Sequence, residues 1–153
     1  MTINPASIPP NGRHRYAIRV YYEDTDAGGV VYNATYLRYA ERARTEALRD
    51  LGVPHAELVE RFGMMFMVRG LEVDYERGAR LDEALTVETE VVEVGGATVR
   101  LRQTVRNKDG QGCAVLAVRL ACVRLEGNKP GRIPPPWRER LAAMRDSREG
   151  GQG

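Results

Sequence analysis

The chain has 153 residues, enough for one domain whose folding removes roughly 68–70% of the unfolded surface from water without a disulfide or metal staple. Lys and Arg number 23 and Asp and Glu 21, a formal net charge of +2 that lacks the basic excess of a nucleic-acid binder. Cys113 and Cys122 sit in apolar runs without metal-ligand spacing and read as small buried hydrophobes; His14 and His55 are too few and too far apart for a metal cluster; no apolar run approaches the ~20 residues that span a bilayer.

The first stretch, MTINPASIPPNGRHR, is polar and proline-rich and has no signal-peptide core, so residues 1–14 are expected to be a disordered lead-in to a cytoplasmic domain over residues 15–146. RYAIRVYYE alternates, with Tyr16, Ile18, Val20 and Tyr22 on one side, and reads as a strand. Gly28 and Gly29 break it. Tyr36, Ala40, Ala43, Ala47 and Leu51 then recur at helical spacing, widened by Leu37 and Leu48, over a helix of about five turns with Asn33 as its N-cap and Gly52 and Pro54 as its stop.

HAELVERFG is a loop or short helical turn. After it the period changes: Met65, Met67, Leu71, Val73 and Tyr75 alternate along a long strand, and Leu85, Val87 and Val91 along the next. Val99, Leu101, Gln103 and Val105 alternate with Arg100, Arg102, Thr104 and Arg106, and NKDG is a hairpin signal. CAVLAVRLACVRL is apolar on both faces, as in a central strand. WRERLAAMRD reads as a short terminal helix, and residues 147–153 as a flexible tail.

Strand, long helix, then four strands in meander predict an α+β domain in which one helix covers one face of an antiparallel sheet of about five strands. Its edges need pairing, which points to a homo-oligomer, a dimer or a dimer of dimers joined edge to edge.

The stretch DTDAGGVVYN places two carboxylates before a glycine pair and a helix mouth. A thioester carbonyl under attack needs a base or nucleophile and a donor for its developing charge. A carboxylate serves as either of the first two, and unpaired N–H groups at a helix start serve as the donor. An aspartate before glycines is equally a turn former, so from the residues alone Asp24 and Asp26 stand as rivals.

Strand, glycine turn and a long helix wrapped by a sheet resemble the hotdog fold. The ordered positions Tyr22, Asp24, Asp26, Gly28, Gly29, Val30, Val31, Tyr32, Asn33, Tyr36, Leu37 and Glu41 resemble the 4-hydroxybenzoyl-CoA thioesterase-like branch, and within it most the bacterial acyl-CoA thioesterases associated with the Tol–Pal system. The similarity continues through MVRGLEVDYERGARLDEALTVETEV to KPGRIP. It implies hydrolysis of acyl-CoA to free acid and CoA, with no bound cofactor or metal beyond the CoA of the substrate. It implies Asp26 as the catalytic carboxylate, a backbone N–H at about Asn33 as oxyanion donor, and Glu41 as a residue that orients water; a solvated helix charge is the other reading of Glu41. Gly29, Val30 and Tyr32 fall at substrate-binding positions. Tol–Pal-associated members usually carry His where this chain has Asn33, so the backbone donor carries over and the imidazole does not.

Met65 and Met67, in the run Met64–Met67, read as acyl-pocket lining or as core. Arg69, Lys129 and Arg132 offer cations for CoA phosphates or are solvated surface charges. The same site suits an acyl-acyl-carrier-protein substrate, and a non-catalytic acyl-CoA-binding or scaffold module is the reading without turnover.

Overall fold

The computed structural model describes residues 8–150, and its elements are β1 (Arg13–Arg19), α1 (Thr35–Asp50), α2 (His55–Phe62), β2 (Met64–Tyr75), β3 (Ala84–Val94), β4 (Thr98–Arg106), β5 (Gly112–Arg124) and α3 (Pro135–Gly150). The strands form one antiparallel sheet in the order β1-β3-β4-β5-β2. This is the α+β architecture expected, but only β3, β4 and β5 meander. β2 crosses to the far edge beside β5, because the segment that follows it runs over the start of α1, where Val31 N–H donates to Ala79 C=O at 2.8 Å. The apolar strand β5 is therefore interior, and β1 and β2 are the edges.

Register explains the core. Tyr16, Val87, Val105, Ala114 and Tyr75 form one row across the sheet, and His14, Thr89, Gln103, Leu116 and Val73 the next. Such rows place alternate side chains on one face, the floor on which α1 lies against β1, β3 and β4. From α1 the expected stripe, Tyr36, Ala40, Ala43 and Ala47, is buried against it, as is Leu51 just past the helix end. The helix stops as expected: Gly52 adopts φ +83°, which a glycine accepts without strain. Its start differs. Ala34, not Asn33, is the N-cap residue, and no side chain caps it.

Gln103 is a polar residue at the centre of the floor. It is 0% exposed, and its Nε2 donates to the Ala40 carbonyl (2.9 Å) and to Thr89 Oγ1 (3.0 Å). Its Oε1 accepts from Arg44 Nη1 at 3.0 Å. Burial lowers the Arg44 pKa below its ordinary value, and an arginine guanidinium keeps its charge in a protein.

β2 departs from its sequence pattern. Its register against β5 shifts between Val68 and Gly70, so Arg69 is a bulge. The extra residue reverses the phase. Phe66, Val68, Leu71, Val73 and Tyr75 share the floor with Cys122, Leu120, Val118, Leu116 and Ala114. Met65 and Met67 lie on the opposite face from Leu71, Val73 and Tyr75, contrary to the single alternation expected. A Cβ at Gly70 would stand 2.8 Å from Arg119 Nη2, so glycine is what lets the Arg119 side chain cross the bulge.

The first turn of β2 is covered by α2, where His55 Nε2 accepts the Phe66 N–H at 3.2 Å. Burial holds the His55 pKa below its ordinary 6.5, which favours the neutral, accepting ring.

Both expected ends are revised within the described residues. Ile8–Gly12 is placed: Pro10–Gly12 forms a 3-10 turn packed on α3, where a Cβ on Gly12 would come within 2.7 Å of the Arg148 backbone N. β1 starts at Arg13, and His14 Nε2 ties it to Asp50 Oδ2 at the end of α1 (2.7 Å). α3 runs on to Gly150, past the expected tail boundary: Trp137, Leu141 and Met144 bury its inner face, and the turn at Arg148 packs on Gly12. Residues 1–7 and 151–153 lie outside the described residues.

Replacing Gln103 by Leu keeps the volume and strands the Arg44 guanidinium. We expect it to destabilise the fold by about 3 kcal/mol, read from urea unfolding midpoints at constant slope. His55 binds its proton less readily folded than unfolded, so its contribution is complete above the ordinary pKa and falls as pH drops below it. Between pH 7.5 and 5.5 the wild type should lose more stability than His55→Gln, which keeps an acceptor for Phe66 N–H; equal losses would remove His55 from the account.

Candidate active site

The motif after β1 folds into a tight loop closed by a bridge between Thr25 and Val31. Asp26 N–H donates to Val30 C=O at 2.8 Å, and Gly29 N–H to Asp26 C=O at 3.0 Å. Gly29 has φ +81°, the conformation this turn demands of a glycine. Asp26 Oδ1 accepts the Gly28 N–H at 2.8 Å and, at longer range, the Val30 N–H at 3.4 Å. The carboxylate is therefore the turn former that its place before glycines predicts, yet only one of its oxygens is used. Oδ2 has no protein partner among the described residues, and the side chain is exposed.

Asp24 is placed differently. It is half-buried in a 3-10 turn, its Oδ2 accepts the Tyr21 N–H (2.9 Å) and its carbonyl accepts the Tyr32 N–H (2.9 Å). Burial and then the Asp24 carboxylate push the Tyr39 phenol well above its usual range. The first carboxylate thus braces the loop from inside, while the second faces outward.

The chain then enters α1. Thr35 N–H donates to Tyr32 C=O (2.8 Å) and Leu37 N–H to Ala34 C=O (3.1 Å). The N–H groups of Asn33 and Ala34 have no partner among the described residues, as expected of a helix start left uncapped. Asp26, Gly29, Val30, Tyr32 and the Asn33 backbone are thus brought together in one loop and helix mouth. Glu41 lies on the exposed side of α1, and no hydrogen bond links it to Asp26.

The remaining candidates stand elsewhere. Tyr75, at the C-terminal end of β2, reaches Asn33, whereas Met65 and Met67 are half-buried at the other end, separated from Tyr75 by roughly 26–33 Å of strand at ~3.3 Å per residue. Arg69 is the exposed bulge. Lys129 and Arg132 are exposed beside the end of β5; Arg132 lines a groove with Phe62, Arg124 and Arg138. One protomer therefore does not unite these groups with Asp26.

Two neighbours of the loop carried no site reading in the sequence. Arg80 bridges to Val30, and its Nη1 lies 4.0 Å from where a Cβ on Gly29 would be. Tyr75 Oη donates to the Asn33 carbonyl at 3.1 Å. Tyr75 fits the strand alternation, which hides any second role; Arg80 lies in a loop with no pattern to mark it.

Residues 20–141 match the family model described as the thioesterase-like superfamily. The chain is similar to the acyl-CoA thioesterase YbgC of Haemophilus influenzae, 47% identical over 119 residues that cover 78% of this chain and 87% of that one. It is also similar to the acyl-CoA thioester hydrolase YbgC of Escherichia coli O6:H1, at 40% identity over 78% and 89% of the two chains. Among solved structures, a probable thioesterase from Bartonella henselae superposes with a TM-score of 0.75 at 35% identity, covering 80% of this chain and 99% of that one. The DHNA-CoA thioesterase of Staphylococcus aureus superposes at 0.84 with 25% identity, covering 91% and 95%. With its sheet, its helix and its motif thus matched over most of its length, the chain belongs to the thioesterase-like superfamily and has the hotdog fold.

Proposed function

We propose that this protein is an enzyme that hydrolyses acyl-CoA thioesters to the free acid and CoA. The observation that carries the reading is the meeting, within one loop, of a carboxylate with an unoccupied oxygen and a helix mouth with unbonded N–H groups. With Asp26 as general base, water attacks the carbonyl carbon as its proton passes to the carboxylate. The C–S bond then breaks, and the departing CoA sulfur is protonated. With Asp26 as nucleophile, an acyl anhydride forms as the thiolate leaves, and water opens it. In both routes the carbonyl oxygen gains charge where the Asn33 N–H and the positive end of α1 stabilise it. A single turnover in isotope-labelled water distinguishes the routes: label in the Asp26 carboxylate marks the anhydride. Glu41 is the candidate for orienting water, and Gly29, Val30 and Tyr32 for contacting the acyl thioester.

The exposed edge of β2 supports a homodimer, with a dimer of dimers as the higher assembly. Val68, Leu71 and Tyr75 are 43%, 39% and 48% exposed along it. Antiparallel pairing of β2 with β2 of a second copy would bring that copy's Met67 and Arg69 toward the Tyr75 end, and with them the cations near Lys129 and Arg132. Such pairing assembles from two chains the acyl and phosphate contacts that one chain separates. The reading places the enzyme in the cytoplasm with CoA as part of its substrate; among the described residues no helix is long and apolar enough to cross a membrane. An association with Tol–Pal rests on the resemblance of the motif.

Asp26→Asn should lower kcat by about 10²–10⁴-fold with little change in KM, while Asp24→Asn should cost on the order of 1 kcal/mol of stability and leave turnover largely intact. Thiol-release kinetics on acyl-CoAs and acyl carrier proteins, with melting curves, measure both; an active Asp26→Asn beside an inactive, folded Asp24→Asn exchanges the two roles. In sedimentation the wild type should run as a dimer or larger, and Leu71→Asp should shift it toward monomer with loss of turnover. A monodisperse, active wild-type monomer at micromolar concentration would refute the shared site.

A further inference from the structure

We infer that Tyr75 is a positioning residue for the oxyanion-binding backbone, acting through the Asn33 carbonyl; the inference rests on the thioesterase reading of the same site. The peptide unit between Asn33 and Ala34 carries the Asn33 C=O at one side and the Ala34 N–H at the other, held antiparallel by the planar trans bond. Whatever fixes the carbonyl therefore aims the N–H. In a regular α-turn the carbonyl would be fixed by the N–H four residues on, that of Leu37. Here Leu37 N–H bonds instead to Ala34 C=O, and Tyr75 Oη donates to the Asn33 carbonyl at 3.1 Å. The peptide that leads into the N-cap of α1 is thus set by a side chain from the sheet edge.

Tyr75 is itself braced. Its ring lies 5.8 Å from that of Tyr36 at a 57° tilt, and Tyr36 meets Tyr39 edge-on at 6.1 Å. Tyr36 is 2% exposed, and its hydroxyl accepts the Ala79 N–H at 3.2 Å. The three rings connect the end of β2, the segment at Ala79 and the helix start. Donation to the carbonyl also polarises the peptide, which strengthens the Ala34 N–H as a donor beside that of Asn33. Tyr75 does not touch the reacting atoms. It holds the peptide that carries the Ala34 N–H, while the carbonyl of the preceding peptide, which carries the Asn33 N–H, accepts from Thr35 N–H.

Tyr75→Phe keeps the ring and removes the hydroxyl. It should lower kcat about tenfold, the scale of one neutral hydrogen bond, with KM within about twofold and an unchanged melting temperature and assembly state. Binding gives a readout separate from turnover. A CoA ketone, with methylene in place of the thioester sulfur, keeps the carbonyl oxygen; an S-alkyl CoA thioether lacks it. Tyr75→Phe should weaken the ketone about tenfold and leave the thioether unchanged. Tyr36→Phe is the control for packing: it strands the Ala79 N–H and should lower stability while sparing the ratio of ketone to thioether affinity. Wild-type-like kcat and ketone affinity in Tyr75→Phe, beside an inactive Asp26→Asn, would overturn this inference alone. An equal fall in thioether affinity, or the same loss of ratio in Tyr36→Phe, would make Tyr75 merely structural and overturn it too. Absence of hydrolysis in the wild type would overturn the thioesterase reading and this inference with it.

Discussion

Gln103 occupies the middle of a largely apolar floor, and its amide is divided among the backbone of α1, the Arg44 side chain and Thr89 of the neighbouring strand. Apolar packing alone would let a helix slide or rotate on the sheet at small cost, because alanine and valine surfaces do not discriminate strongly between registers. A buried amide with fixed partners does discriminate: every displacement of α1 leaves polar groups without bonds in a place water does not reach. The mouth of the helix therefore stands at a set height above the sheet. The glycine loop before α1 and the segment at Ala79 that crosses it are built against that fixed point.

The two aspartates of the motif divide their labour according to burial. Asp24 is spent on backbone donors inside the turn. Asp26 shares one oxygen with the turn, and its other oxygen has no protein partner among the described residues. The arrangement joins a carboxylate and a cluster of N–H dipoles of opposite electrostatic character within a few residues, which suits a reaction whose charge moves from the attacking oxygen to the carbonyl oxygen.

Much of this was legible in the sequence. The buried stripe of α1 follows a period of 3.6, and the floor positions of β3 and β4 a period of two. The ordered motif picked out the loop, although only the folded chain separates the bonding of Asp24 from that of Asp26. Other features left no local trace. A bulge adds one residue, and Met65 and Met67 extend the alternation of Leu71 and Val73 smoothly in sequence although the register shift puts them on opposite faces. Strand order is set by what lies across the helix mouth, a contact between Val31 and Ala79 with no short-range signal. Asn33 is a good capping residue by type, but its carbonyl is held by Tyr75 and its side chain is exposed. The stretch Pro10–Gly12 carries no sign of order in the sequence because its partner, α3, lies more than a hundred residues away in the chain.

The bulge in β2 and the imidazole over its first turn have a consequence for solubility. An open sheet is a template for endless strand addition, and addition propagates only when one edge accepts the opposite edge of the next molecule. Here β2 is kinked at Arg69 and covered at Phe66, so its straight free stretch is short. The opposite edge, β1, carries exposed Arg13, Arg15 and Arg19, of which Arg13 and Arg15 lie beside Glu90 and Glu88 of β3. Joining β2 to β1 would meet an edge lined with charged side chains, whereas joining β2 to β2 would close on a two-fold axis and use up the permissive edge on both molecules. The same irregularities that shape the strand would make any association through it self-limiting, ending at a pair rather than a filament.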